Sequence, residues 1–419
     1  MKRILFFQPS VETLSFFSDR LAEEFVSLGY EVRLVRIHEP FFGTEKIKEF
    51  LVPGETVMIT FNFHGIQREA IFHTPEKELL WDLYDVACIN IIVDHPFYYY
   101  EELKYLPKRY LQICIDGDHT DYMKQFYPDI VCGETMPLAG CSYRDSFSGG
   151  KALSLRDDVT NPAERIPNIF PESLVQVPIA SRSTEVVFTG CYTAPDFFLP
   201  YMKRNGADYD TFYHGILDDL LADPDQCIHT VYLRHLNREL PELSDEDLKN
   251  VMNKMIFLDM WIRFYFRGKA IQTLLAADIP VHCIGAGWNV LPTEKKHLLT
   301  HTEYSDTEVC LKAISEAKIS LNVMPWFKRG SHDRIYSSMQ NGTVCVTDKS
   351  NYLLENFKDG EMLRYYDLKE LEKLPATVTD LLAHPDMMQQ LADRAQAYAK
   401  EHLTWKQYAK KLIPYFEKV

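Results

Sequence analysis

Short apolar runs alternate with helix-patterned stretches along most of this chain, and that alternation leaves few folds open. Ile4 to Phe7 is a continuous apolar run, and Leu14 to Leu28 then carries apolar residues at helical spacing before stopping at Gly29. Val32 to Ile37, Val57 to Phe63, Ala87 to Val93, Leu111 to Ile115 and Ile130 to Cys132 repeat the strand pattern. Strands that are apolar on both faces and separated by helices belong in a parallel sheet covered on both sides. The first half is therefore expected to form a Rossmann-type α/β domain.

Between Gly149 and Thr184 the pattern collapses into a Pro-, Ser- and charge-rich stretch, read as part loop and part linker with a boundary near Arg182. A second α/β unit opens with the strand Glu185 to Gly190. A wholly helical block follows from Asp196 to Ala277, and strands resume at Val281–Ile284, Ile319–Val323 and Thr343–Thr347. A short helix at Ile335–Met339 feeds the last of these, and the chain is helical again from Leu368. The expected architecture is α/β, two Rossmann-like domains facing across a cleft, with a helical insertion in the C-terminal half. The expected limits are 1–182, 183–405 with the helical block at 196–277, and a final helix at 406–419 packing back on the first domain.

At 419 residues the chain is long enough for two cores. A net charge of −15 argues against a broad nucleic-acid footprint, which needs clustered Lys and Arg. An anionic ligand must then be captured locally, by a few basic side chains and backbone amides. The nine cysteines are scattered with no CxxC pair, which speaks against a zinc site or disulfide framework and fits a reducing cytosol. The apolar start MKRILFFQPS is too short for a signal peptide, and no apolar run approaches the roughly 18 residues of a membrane span. The expectation is a soluble, cytoplasmic protein.

In open parallel sheets ligands lie outside the carboxyl ends of the strands. In the second half those ends carry Thr189-Gly190, the turn from Gly285 to Trp288, Asn322 to Trp326, and Thr347-Asp348. The stretch GSHDRIYSSMQNGTVCVTD, Gly330 to Asp348, places His332 and Arg334 at a helix start, where free amides and the helix dipole favour phosphate. Arginine adds bidentate contact. Each element alone has a plainer reading, a turn glycine or a packed tryptophan; together they share one sheet edge. Arg263, Arg267 and Lys269 in MWIRFYFRGKA fall on neighbouring turns. A solvated helix face is their simpler explanation, and contact with a phosphate is the alternative.

From Ile319 to about Tyr408 the chain resembles the C-terminal domain of GT-B-fold glycosyltransferases, and most closely the spore-maturation-protein (CgeB-like) group. The resemblance rests on Leu321-Asn322, Gly330, Arg334-Ile335-Tyr336, Asn341-Gly342 and Val344 to Asp348. NYLLENFKDGEMLRYYDLKEL is similar to that group's segment of a helix, an acidic-Gly turn, a strand and Asp-Leu-x-Glu-Leu. VVFTGCYT and IPVHCIGAGW resemble its two glycine turns, and CINIIVDHPFYY and LQICIDGDHTDYM an acceptor-side domain.

The resemblance implies a nucleotide-diphosphate-sugar donor, a UDP-sugar first, held by the C-terminal domain. By the same resemblance Arg334, the amides after Gly330, and His332 would hold the diphosphate, and Asn322 would lie beside it. Gly190 would let the backbone approach the donor, and Gly285 to Trp288 would lie near the base. Charge neutralisation by these groups would need no metal. The group's usual pattern has a Glu five residues before the glycine, on the ribose, and in retaining members another Glu eight residues earlier. Here those positions are Ser337 and Arg329. Ser337 could hydrogen-bond a ribose hydroxyl, more weakly than a carboxylate.

An inverting reaction needs a general base near the acceptor hydroxyl. Asp94-His95 in VDHPF is the first expectation and His64 in FNFHGI the second, with Asp116, Asp118 and His119 behind them. Asp116-Gly-Asp118 is read as a turn and not as a metal site. No tightly bound cofactor and no metal are expected, and the partners are the donor and a glycan, protein or small-molecule acceptor; a homodimer is compatible with the aromatic-rich 196–277 block. Two other classes share the fold: a nucleotide-sugar epimerase, and a nucleotide-sugar-binding protein that has lost catalysis.

Overall fold

The computed structural model describes residues 1–35, 44–66, 70–74, 78–144, 153–154, 176–204 and 206–419. The chain divides into two compact units. The first comprises Met1–Met136, Arg144–Glu172 and Thr404–Val419; the second comprises Pro137–Tyr143 and Ser173–Leu403.

The first unit is built on six parallel strands, β1 (Arg3–Phe7), β2 (Glu31–Val35), β3 (Thr56–Phe61), β4 (Ala87–Ile92), β5 (Tyr110–Cys114) and β6 (Leu153–Ser154). Their order is β5-β4-β3-β1-β2-β6. β3 and β4 are buried along their whole length, as continuous apolar strands under helices on both faces must be. Each fully buried Ile, Leu or Phe here contributes about 1.5–3 kcal/mol. The terminal helix Trp405–Leu412 lies on the Glu12–Ser27 helix, with the Trp405 ring 5.0 Å from that of Phe17.

The second unit repeats the plan with β7 (Thr184–Thr189), β8 (Val281–Ile284), β9 (Leu299–Thr302), β10 (Ala317–Asn322), β11 (Val344–Asp348) and β12 (Arg364–Tyr366). All are parallel, in the order β12-β11-β10-β7-β8-β9. Five α-helices between Leu199 and Ala276 form the insertion between β7 and β8, the longest being Ile256–Ala276.

In each sheet the strand order reverses beside the first strand: between β1 and β3 in one, between β7 and β10 in the other. Such switch points open the crevices where ligands bind.

Four expectations need correction. The run Ile130–Cys132 makes only an isolated pairing of Cys132 with Gln112. The strand expected through Phe63 ends at Phe61, because Asn62 and Phe63 take φ of +50° and +64°. Two consecutive non-glycine residues in that region cost about 1–2 kcal/mol each. Leu153–Ser154, expected in a linker, adds β6 beside β2; most of the 149–184 linker, like the Ile37 end of β2, lies outside the described residues. β9 was unexpected, because the polar sequence LTHT carries no alternating apolar signal and the strand lies at the sheet edge.

Candidate functional site

Arg334 sits at the switch point of the second sheet. Its Nη1 donates to the carbonyl of Thr189 at the end of β7, and its Nη2 donates to the carbonyl of Val323 just past β10, at 3.0 Å. The guanidinium lies 5.3 Å from the centre of the Phe188 ring. Gly190 makes room for it: φ is +145°, and a Cβ there would lie 2.9 Å from Nη1. The glycine is thus required twice, by the backbone and by the arginine.

Arg334 stands in the first turn of the Asp333–Gln340 helix, which His332 caps. The His332 Nδ1 lies 3.2 Å from the Arg334 amide and 2.9 Å from Asp333 Oδ1. It can accept from the amide when unprotonated or donate to the carboxylate when protonated, but not both at once. Burial and the Arg334 charge push the His332 pKa down, so the accepting form is favoured. Burial alone would raise Asp333, but His332 and Arg334 together hold its carboxyl below the ordinary value.

The helical insertion contributes directly. Arg267, on the Ile256–Ala276 helix, donates from Nη1 to the carbonyl of Cys191 at 3.0 Å, immediately beyond Gly190. Burial, then the charges of Arg334 and Arg263, push its guanidinium down to about 9. Arg263, one turn earlier, is neutralised by Asp259 at 2.6 Å. Lys328 is also buried, with Nζ 4.2 Å from the Trp326 ring centre and its charge felt by Asp348. The loop after β10 is tied to the insertion by Trp326 Nε1, which donates to the carbonyl of Gln226 at 2.8 Å.

These cations repel one another. Arg334 is offset by the nearby Asp333 and Asp348 carboxylates and Arg263 by Asp259, whereas Arg267 bonds only a carbonyl, an arrangement that stability alone does not call for. Unused hydrogen-bonding atoms mark the same place. Among the described residues, Nε of both Arg334 and Arg267 are buried donors without an acceptor, and Asn322 Oδ1 and Asp348 Oδ2 are buried acceptors without a donor. Native interiors leave few such groups, and donors of this kind suit an anion. Burial raises the Asp348 pKa, against the pull of Lys328 and Arg334.

The other sequence candidates of this domain fall in three ways. Asn322 joins the cluster, its Nδ2 donating to Thr347 Oγ1 at 2.9 Å. Gly330 is buried, its carbonyl accepting from Ser350 Oγ at 2.7 Å. The turn from Gly285 to Trp288 laces onto Gly190: the Gly190 amide donates to Ile284 O at 2.7 Å and Trp288 Nε1 to Gly190 O at 2.8 Å. The Trp288 indole is wholly buried, stacked 5.0 Å from Tyr192. It is a strut under the glycine turn, and no face of it is open to a base. Ser337 is buried, and its Oγ accepts the Cys141 amide at 3.1 Å, which leaves its hydroxyl hydrogen for a second partner. Arg267 is the residue the sequence underrated: the signal was an arginine inside an aromatic, otherwise apolar helical turn.

In the first unit the candidate bases lie at carboxyl ends of strands. His95, after β4, is buried; its Nδ1 accepts the Phe97 amide at 3.2 Å, and its ring stacks 4.1 Å from Phe97. Asp94 is half-buried and accepts from the Tyr99 hydroxyl at 3.3 Å. His64 is half-buried after β3. Asp116 Oδ1 caps the Gly117–Phe126 helix by accepting the Asp118 amide at 2.7 Å, which accounts for the Asp-Gly-Asp turn. Among the described residues no group of three or more His, Cys, Asp or Glu side chains could hold a metal ion, and no helix is long and apolar enough to cross a membrane.

A family described as glycosyl transferase-like matches residues 267–413. No curated protein matches the chain. Among solved structures, sucrose-phosphate synthase from Thermosynechococcus elongatus is similar over 100% of this chain and 99% of its own, at 11% identity and a TM-score of 0.52. A glycosyltransferase from Rickettsia africae ESF-5 is similar over 99% and 98%, at 9% identity and a TM-score of 0.51. Identities this low speak for the fold, which is the GT-B architecture of two Rossmann-like β/α domains with a helical insertion in the second. The chain thus has the GT-B fold, and its residues 267–413 match a family described as glycosyl transferase-like.

Proposed function

We propose that this protein transfers a sugar from a nucleotide-diphosphate-sugar donor, with UDP-sugars the first to test, to an acceptor hydroxyl, without a metal ion. The observation that carries the reading is the pair of mutually repelling guanidinium groups, Arg334 and Arg267, with unused buried Nε donors at a sheet switch point. A diphosphate would supply the missing negative charge, and the two guanidinium groups would stabilise it as it leaves. Sequence likeness to the CgeB-like group points the same way. The donor belongs on the 183–405 domain and the acceptor on the 1–182 domain, with the terminal helix from 406 serving the latter. His64, Asp94 and His95 are the groups proposed for the base. Free thiols at all nine cysteines suit a cytoplasmic setting.

Thermal-shift and calorimetric screening against UDP-, GDP- and dTDP-sugars tests the reading. Saturable binding of one donor class, weakened by Arg334→Ala, is expected; a folded protein indifferent to every donor would sink it. Product analysis without acceptor distinguishes transfer from epimerisation, since only an epimerase returns an isomerised nucleotide sugar.

A further inference from the structure

The helical insertion carries a thiol that helix stability does not call for. Cys227 is the N-cap of the helix Ile228–Glu239, and its side chain makes no capping bond. A serine, threonine, aspartate or asparagine there would satisfy a free amide and add about 0.5–2 kcal/mol. What the Cys227 side chain meets instead is a base. Its Sγ lies 3.0 Å from Nδ1 of His229 and 3.7 Å from Nε2, and His229, in the first turn of the same helix, is only 4% exposed. The backbone of the cap is fixed, since Thr230 Oγ1 donates to Cys227 O at 2.7 Å and the Val231 amide to the same oxygen at 3.2 Å.

A nucleophile within reach of a buried histidine, at a helix start whose dipole favours negative charge, is the arrangement that turns a thiol into a thiolate. The nearby acids do not oppose it, because Asp223 and Asp225 are offset by Lys369, whose Nζ lies 2.7 and 2.8 Å from their oxygens. Thiols of the two cores differ. Burial pushes those of Cys88, Cys114 and Cys283 well above the ordinary thiol range and that of Cys345 up to about 12. Cys227 is half-buried, within reach of a small molecule. One thiol and one imidazole are too few for a structural zinc site, and among the described residues no third ligand joins them.

The turn before Cys227 is the one that holds the loop after β10. Gln226 O accepts from Trp326 Nε1, and Gln226 Oε1 accepts from Arg234 Nη1 at 3.0 Å. Val323, where that loop begins, gives its carbonyl to Arg334, and the Met324 amide donates to Asp348 Oδ1 at 2.9 Å. A group added to Sγ must separate Cys227 from His229 and shift the turn on which Trp326 hangs.

We infer that Cys227 is a modification site: a thiolate, activated by His229, that exchanges with low-molecular-weight disulfides and, once capped, loosens the 323–328 loop. His229 takes the thiol proton. The Cys227 sulfur attacks one sulfur of the disulfide, the S–S bond breaks, and its electron pair leaves with the other sulfur, which takes the proton from His229. The products are a mixed disulfide on Cys227 and one free thiol, and excess thiol reverses the exchange. This chemistry is independent of the glycosyl-transfer reading; only the bearing of the loop on donor binding rests on it.

The test treats the full chain with dithiodipyridine from about pH 5.5 to 8.5 and follows the Cys227 peptide by mass spectrometry. Cys227 should react at least about tenfold faster than N-acetylcysteine at about pH 6, and His229→Gln should remove that advantage. If His229→Gln does not fold, the wild-type profile decides: a Cys227 rate that falls about tenfold per pH unit below about 8, as a free thiol's does, overturns the inference. Oxidised glutathione then supplies the adduct. Amides of 323–328 should exchange hydrogen at least about threefold faster in the adduct, return to the original rate with dithiothreitol, and stay unchanged in treated Cys227→Ser. Cys227 left unlabelled in the folded protein, or an adduct whose 323–328 amides exchange as before, overturns it too.

Discussion

Replacing Arg267 by glutamine separates a binding role from a structural one. A guanidinium pushed down to about 9, well below its ordinary value, carries a penalty of up to roughly 5 kcal/mol at neutral pH, each pH unit being worth about 1.36 kcal/mol. Arg267 is half-buried, and solvent screening reduces that figure to about 1–2 kcal/mol. The substitution removes this penalty and also removes the bond to Cys191 O, worth about 0.5–1.5 kcal/mol. The two nearly cancel, so the ligand-free variant should match wild type within about 1 kcal/mol, or about 2–4 °C in Tm for a domain of this size. Donor affinity should behave differently. Loss of one charge-assisted contact to a phosphate costs about 1.5–3 kcal/mol, a weakening of about 10- to 150-fold. Differential scanning calorimetry and donor titration read the two quantities. A variant destabilised by about 3 kcal/mol or more that binds donor as well as wild type would refute the reasoning, because Arg267 would then be a structural anchor.

The remaining predictions concern pH and two positions near the site. In the folded protein burial and Arg334 depress Arg267, so the unfolded chain binds more protons from about pH 9 up to the ordinary guanidinium range. The stability of wild type relative to Arg267→Gln should therefore rise as pH climbs through about 9; urea midpoints at about pH 8 and 10 that diverge the other way would contradict the assignment. Ser337→Glu should lose at least about 2 kcal/mol in urea unfolding and gain no donor affinity, since Ser337 is buried against the Cys141 amide and a carboxylate there is overpacked and desolvated. Gly190→Ala should lose about 1–3 kcal/mol to backbone strain and, by displacing the Arg334 guanidinium, weaken donor binding as much as Arg334→Ala does. Donor titration of the folded alanine variant at wild-type affinity would argue that the glycine serves the backbone alone.

What the sequence made legible follows from how each residue's task is encoded. β1, β3, β4, β7, β10 and β11 were readable because strands buried on both faces must be apolar throughout. β9 was not, because LTHT at a sheet edge answers to solvent on one side. The 62–66 turn was hidden for the opposite reason: Phe63 looks like a strand residue, and only its tertiary partners Asn90 and Tyr110 hold it in a left-handed turn. Arg334 and Gly190 were legible from their places at a helix start and a strand end. Trp288 was left between two readings because an aromatic beside a glycine turn can face a ligand or brace the turn, and only its burial favours the packed one. Arg267 was left between a solvated face and a phosphate contact because helical spacing alone does not say which face meets the β7 turn.

The most direct test of the account compares each of UDP, GDP and dTDP with its own nucleoside by titration calorimetry, on wild type and on Arg267→Gln. If the cation cluster exists to hold a diphosphate, one of the three diphosphates should bind wild type at least about 100-fold more tightly than its nucleoside. That advantage should shrink at least about tenfold in the variant. Equal affinity for diphosphate and nucleoside in wild type, or an advantage untouched by the substitution, would contradict it.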